Sequence, residues 1–341
     1  MLYGEMEEQN STMSDAIMTT EEMQTTSGNT ATSWWSSSHR FYFTLSLIVI
    51  GVFGTVGNAF VLYALVASKQ YKKYLLIFNQ NALDLYTCVF LVITFSVRQN
   101  YIPRSGSHAY WHCTLFLTDI FVKFGIYGSV INLVLVTVER YLKICTKKKL
   151  RRWMIYSGVA FAWIASVVYN VTAVFSTTVI VNGKCFPYAI FENKFAKSFY
   201  FIFRFLTFYV IILFTFIFCY GRILIVIRRQ AKVMVSHNAT HSSTTQNQSK
   251  KIQTNVIKTM IIVSALYAVM WLPTYVPTLL YHFQFLRRNN IILIILIYFS
   301  SLYCQFLYMC INPFIYATTF DPVKQILFRM IPWKRTGEEV T

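Results

Sequence analysis

Asn312-Pro313-Phe314-Ile315-Tyr316 stands inside an apolar run near the C-terminus, and Glu139-Arg140-Tyr141 closes another apolar run far upstream. Amide, carboxylate and guanidinium groups are costly in hydrocarbon, so such residues within a span default to a functional role. Pro313 removes a backbone hydrogen bond and predicts a kink at the same place. Met270-Trp271-Leu272-Pro273 repeats the pattern one run earlier, with a bulky aromatic on the turn before a second proline.

The whole chain is 55% hydrophobic and 13% charged, with 30 Phe and 23 Tyr. Soluble domains carry roughly 25% charged residues. A soluble fold would have nowhere to hide so much apolar surface, so lipid must be its solvent. The net charge of +18 does not point to nucleic acid, because the basic residues fall in the gaps between apolar runs, as the positive-inside rule expects.

A membrane helix needs about 20 mainly apolar residues. Seven runs qualify: 41–67, 74–97, 114–143, 153–176, 198–227, 253–282 and 290–317. The expected fold is an all-α membrane protein. A disordered extracellular N-terminus (1–39) precedes a seven-transmembrane helix bundle (40–318), and a short amphipathic helix with a cytoplasmic tail (319–341) follows it. One alternating set of connections, with the C-terminal tail, holds nineteen Lys and Arg, and the other, with the N-terminus, holds eight. The richer set faces the cytosol, giving a multi-pass plasma-membrane protein with its N-terminus outside. No cleavable signal pattern precedes the first run. Asn10 begins a usable glycosylation sequon, whereas the matches at Asn238 and Asn247 fall on the cytosolic side. Residues 235–250 read as a polar linker within reach of kinases.

Six of the seven helices carry a marked feature: Gly54-Thr55-Val56-Gly57-Asn58, then Asn79 and Asp84, Glu139-Arg140-Tyr141, Trp163, Trp271-x-Pro273, and Asn312-Pro313-x-x-Tyr316. In this order over seven helices, they resemble the rhodopsin-like (class A) G protein-coupled receptors over nearly all of 41–331. The resemblance implies a cell-surface receptor, not an enzyme, that signals to heterotrimeric G proteins and also meets arrestin and receptor kinases. It implies a coupling switch of Glu139, Arg140, Tyr141, Tyr220 and Tyr316, in which Arg140 leaves Glu139 for the two tyrosines on activation. It implies an activation core of Asn58, Asp84, Ser129, Trp271, Pro273, Asn312 and Pro313, and a disulfide between Cys113 and Cys185. Cys113 stands slightly farther from Arg140 than in the family, so a bulge at the top of the third helix is expected. Asn312 is expected to re-satisfy carbonyls freed by Pro313. Asp84, Asn58 and Asn312 are expected to meet through water or an ion. Asp84, Ser129 and Asn312 retain part of a sodium site, although Tyr308 and Met309 replace polar groups there. No other metal or cofactor is expected.

Several positions depart from the family pattern. Ile212 stands where many relatives have a proline, Gln80-Asn81 where an apolar pair is usual, and Tyr267 where phenylalanine is common. Residues 222–260 hold no Asp or Glu, so the acidic residue that restrains the arginine in many relatives is missing and basal signalling is expected to be appreciable. Val122 replaces the aspartate of amine receptors, and 289–317 lacks the lysine of opsins. Asp119, Lys123, Arg204, Tyr275 and Tyr303 are the ligand-binding candidates. Two cations among them favour a peptide or an anionic small molecule, with Asp119–Lys123 or Asp119–Arg204 as internal pairs the bland alternative. A membrane transporter or a non-signalling scavenger receptor would also use polar groups at mid-membrane depth, but no internal repeat is visible.

Overall fold

In the computed structural model the residues described are 37–99, 107–148, 150–177, 179–181, 184–186, 194–237, 244–282 and 291–330. Asn10 lies outside them. Seven long helices form in order: α1 (Ser37–Ala67), α2 (Leu75–Gln99), α3, α4 (Arg152–Thr177), α5, α6 (Thr244–His282) and α7 (Ile291–Thr319), before a short α8 (Asp321–Met330). Two of them are composite. α3 joins Ser107–His112 to Ile120–Cys145 through a π-helical turn at Cys113–Leu117, and α5 joins Lys194–Phe205 to Ile211–His237 through another at Leu206–Val210. Between α4 and α5 a small antiparallel hairpin pairs β1 (Val179–Val181) with β2 (Lys184–Phe186), setting Ile180 opposite Cys185.

Among the described residues, six helices are long and apolar enough to cross a membrane. Phe53, Phe214, Ile217 and Val269 lie on their exposed faces, Ile217 at 74%. Such surfaces suit lipid rather than water. Polar residues are drawn inward among the apolar core: Asn58, Asn79, Gln80, Asn81, Asp84, Ser129, Asn132 and Asn312 are all buried.

Among the described residues, 47–330 belong to one compact unit and 37–46, the start of α1, to another. Within the larger unit, α3 packs against α2, α4 and α5, and α6 against α7. Small residues allow the closest approaches. A side chain at Gly125 on α3 would run into Thr87, Tyr86 and the Leu83 carbonyl of α2, and one at Gly54 would overlap the Cys88 and Cys310 thiols. The spans of α5 and α6 run farther than hydropathy predicts. α5 continues to His237 and α6 begins at Thr244, so most of the expected polar linker at 235–250 is helical. Polar residues extend a helix that is already nucleated, and hydropathy carries no signal of it. Asn238 lies outside the described residues, and Asn247 falls within α6.

A bulge stands where the spacing of Cys113 and Arg140 calls for one. After the π-helical turn, Asp119 adopts a left-handed backbone (φ 58°), a conformation with a steric penalty for a non-glycine residue. Arg98, in the last turn of α2, ties this break together. Its Nε donates to the Phe116 carbonyl at 3.2 Å and its Nη2 to that of Leu117 at 2.6 Å, and Nη2 also pairs with the Asp119 carboxylate at 2.7 Å. The carbonyls left open by the irregular turn thus meet a charged donor. Asp119 is thus ion-paired with Arg98, a partner that the internal pairs weighed from sequence did not include.

Candidate functional site

At the end of the bundle bearing Arg140, the guanidinium is buried and its Nε lies 3.0 Å from Glu139. It also stands over the Tyr74 ring at 5.8 Å. Tyr220 shares a hydrogen bond with Thr137 at 2.9 Å and accepts one from Ser264 at 3.3 Å. Tyr316 is fully buried, its hydroxyl without a partner among the described residues. Tyr141 packs its ring against Phe218. Nearby, α6 is held to the junction of α7 and α8. Asn255 donates to both oxygens of Asp321 at 3.2 and 3.3 Å, and Thr259 to Thr319 at 2.7 Å.

In the middle of the bundle a chain of hydrogen bonds crosses four helices. Trp163 of α4 donates to Asn79 Oδ1 at 3.0 Å, and Asn79 Nδ2 donates to Asn132 Oδ1 at 2.9 Å. Asn132 Nδ2 donates to the Leu76 carbonyl and to Gln80 Oε1, both at 2.9 Å. Gln80 Nε2 then faces Ser129 Oγ and, at 3.5 Å, Asp84 Oδ1. Ser129 donates to Asp84 Oδ1 at 2.6 Å and Asn312 Nδ2 to Asp84 Oδ2 at 2.8 Å. The Asn79-Gln80-Asn81 run was visible in sequence only as a departure. Asn132 was missed, although it stands three residues after Ser129 and so on one helix face. Both carboxylate oxygens of Asp84 and the hydroxyl of Ser129 are turned toward protein N–H and O–H groups. The Asp84 and Ser129 oxygens of the partial sodium site are thus engaged by protein donors.

Two helix prolines leave carbonyls that a neighbouring helix caps. Pro313 deprives the Met309 carbonyl of its helical donor, and Asn58 Nδ2 approaches that oxygen at 3.3 Å while also bonding Gly54 at 2.9 Å. Asn58, not Asn312, thus performs the repair expected near Pro313, and Asn58 does not bond Asp84. Pro277, also within α6, frees the carbonyl of Pro273, which lies 2.6 Å from Ser301 Oγ of α7. In α5, which lacks the usual proline, the π-helical turn ends next to Ile212. The Tyr267 hydroxyl donates to the Phe208 carbonyl in that turn, and Tyr209 reaches back to Ala268 at 3.0 Å. One departure from the family pattern, Tyr267, thus braces the turn that ends two residues before the other, Ile212.

Toward the end bearing Cys113, Arg204 sets its guanidinium over two rings, Tyr127 at 5.7 Å and Tyr275 at 5.9 Å. Its Nε has no hydrogen-bond partner among the described residues. Lys123, one turn from Tyr127, donates to the Thr118 carbonyl at 2.5 Å. Tyr303 is half-buried on α7. From Tyr275 a ladder of rings descends toward Arg140: Tyr275 stacks on Trp271 at 5.8 Å, Trp271 meets Tyr267 at 5.5 Å, Tyr267 meets Phe216 at 5.8 Å, and Phe216 meets Tyr220 at 6.2 Å. Cys113 is buried and disulfide-bonded, while Cys88, Cys145, Cys219, Cys304 and Cys310 are free thiols.

The crystal structure of squid rhodopsin is similar in fold, with a TM-score of 0.67 over 90% of this chain and 89% of that one, at 16% sequence identity. No curated protein sequence matches the chain. Residues 57–316, the stretch from the motif of α1 to Tyr316, match the family described as 7 transmembrane receptor (rhodopsin family). With that match, the chain belongs to the rhodopsin family of seven-transmembrane receptors, which are multi-pass plasma-membrane proteins that signal through G proteins and are not enzymes.

Proposed function

We propose that this receptor reports an extracellular ligand bearing an anionic group, either a peptide carboxylate or a small organic acid. The observation that carries the reading is the setting of Arg204. A guanidinium inside a helix bundle is costly unless it is paired. Here it meets aromatic faces, which favour a cation, and its Nε is without a hydrogen-bond partner among the described residues, so part of its N–H fork is unused. That fork matches the two oxygens of a carboxylate. Lys123 one turn from Tyr127, with Asp119 and Tyr303 farther along the same end, would complete the ligand cradle. The positive-inside count supports placing this end, and the N-terminus with a glycosylated Asn10, outside the cell. The bonded state of Cys113, five other free thiols and the packing of β2 beside the π-helical turn support a Cys113–Cys185 disulfide.

Ligand pressure on Tyr275 would pass along the stacked rings to Trp271 and Tyr267, beside the prolines of α6. A swing of the Asn255 end of α6 would then free Arg140 from Glu139 for Tyr220 and Tyr316, and open a cavity for a G protein α subunit. Arrestin and receptor kinases would read the same open face.

Peptide and carboxylate libraries tested for agonist-dependent nucleotide exchange, in membranes holding the receptor and several α subunits, examine the reading directly. An acid agonist is expected to lose potency roughly ten- to a hundredfold when its carboxylate becomes a neutral amide, the range of a charged hydrogen bond. Arg204→Gln is expected to cause the same loss and to abolish the difference between acid and amide. Equal potency of acid and amide on the unsubstituted receptor would overturn it.

A further inference from the structure

We infer that the side-chain amide of Gln80 stands in this receptor where a cation would bridge Asp84 and Ser129, so that the core of the bundle is independent of sodium.

The direction in which the Gln80 amide points follows from two groups of fixed polarity. The Trp163 indole N–H can only donate, so Asn79 must present Oδ1 to it, and its Nδ2 must face Asn132. The Leu76 carbonyl can only accept, so Asn132 must present Nδ2 to it, leaving Oδ1 for Asn79. The same Nδ2 meets Gln80, which must therefore present Oε1 to α3 at 2.9 Å. The Gln80 nitrogen is left facing Ser129 Oγ and Asp84 Oδ1. Flipping any one amide would set like against like at two contacts or more. Gln80 and Asp84 lie four residues apart on α2, on one face of the helix, so the nitrogen reaches the carboxylate without leaving the helix surface.

A hard cation is held by oxygen atoms, roughly six of them. Here Asp84 Oδ1 accepts from Ser129 and Gln80, Asp84 Oδ2 accepts from Asn312, and Ser129 Oγ accepts from Gln80. Among the described residues, Asn312 Oδ1 and the Tyr308 hydroxyl one turn before it remain without a partner, which makes two ligands, not a shell. Met309 and Tyr308, both fully buried, fill α7 on this side. An entering ion would have to expel the Gln80 nitrogen and unseat Asn132, and with it Asn79 and Trp163. The amide thus does with two N–H groups what an ion does by charge: it ties α2 to α3 beside the carboxylate.

The test is the thermal melting of the purified full chain in sodium chloride and in choline chloride at equal ionic strength. The unsubstituted chain is expected to melt at the same temperature in both. Gln80→Ala, which vacates the space and exposes the oxygens, is expected to melt lower in choline and to recover in sodium with a saturable dependence. Should Gln80→Ala fail to fold, Gln80→Glu keeps the shape, turns an oxygen toward Asp84 in place of the nitrogen, and is expected to melt higher in sodium than in choline. A saturable rise of the unsubstituted chain in sodium overturns the inference. So does a variant that melts at the same lowered temperature in both salts, which would reduce Gln80 to packing.

Discussion

Two of the polar clusters inside this bundle are finished in opposite ways. Along the chain from Trp163 to Asp84, the amides of Asn79, Asn132 and Gln80 each have both ends engaged. Around Arg204 the charge meets ring faces instead, and an N–H is left over. In a medium of low dielectric, a network satisfied at every member rigidifies its surroundings, while an unfilled one is unfavourable until something completes it. Polarity inside the membrane therefore does not by itself mark a ligand site. The ligand reading proposed for Arg204 rests on the unused N–H beside its charge.

The sharpest way to break that contrast is Asn132→Ala. It strips the partners from Gln80 Oε1 and Asn79 Nδ2, and two buried unsatisfied groups cost about 2–5 kcal/mol. A large fall in melting temperature of the purified receptor is expected, and an unchanged one would show that the closed network is ornamental. Arg204→Gln probes the other cluster and should show the reverse pattern: potency toward an acid agonist lost by about 1.5–3 kcal/mol, with thermal melting nearly unchanged. Melting that collapses with this variant would class Arg204 with the structural groups. Tyr267→Phe removes the hydroxyl that caps Phe208 at the joint of α5, and a loss of about 1 kcal/mol is expected on melting. No loss would mean that the π-helical turn holds itself. The smallest effect is at the Arg140 end. Asn255→Ala removes the tie from α6 to Asp321, and basal nucleotide exchange should rise a few-fold over an Arg140→Ala control, in keeping with a hydrogen bond of below about 1 kcal/mol. Basal exchange equal to that of the parent would leave α6 restrained elsewhere.

Much of the fold was legible because its determinants are local. Apolar runs predicted helices whose ends agree with the structure to within a few residues for α1, α2, α4 and α7. The bulge above Ile120 was legible from the spacing of Cys113 and Arg140. The hairpin of β1 and β2 was not, since two three-residue strands leave little periodicity to find. Arg98 was counted as a loop charge because nothing near it in sequence signals a broken turn twenty residues on. Gln80 was noticed only as an oddity. Its partner Asn132 looked like any lone amide in an apolar helix, which more often glues helices than binds anything.

The sequence by itself determined that seven apolar helices would form, and which polar residues and prolines they would carry into the interior. Helix length and hydropathy are properties of consecutive residues. The tertiary structure alone decided which polar group meets which: Asp119 with Arg98, the Met309 carbonyl with Asn58, the Gln80 nitrogen with Asp84. One residue along a helix turns a side chain by about 100°, so such pairings depend on how closely and at what rotation the helices approach, and that is set by contacts like those at Gly54 and Gly125 between residues far apart in the chain.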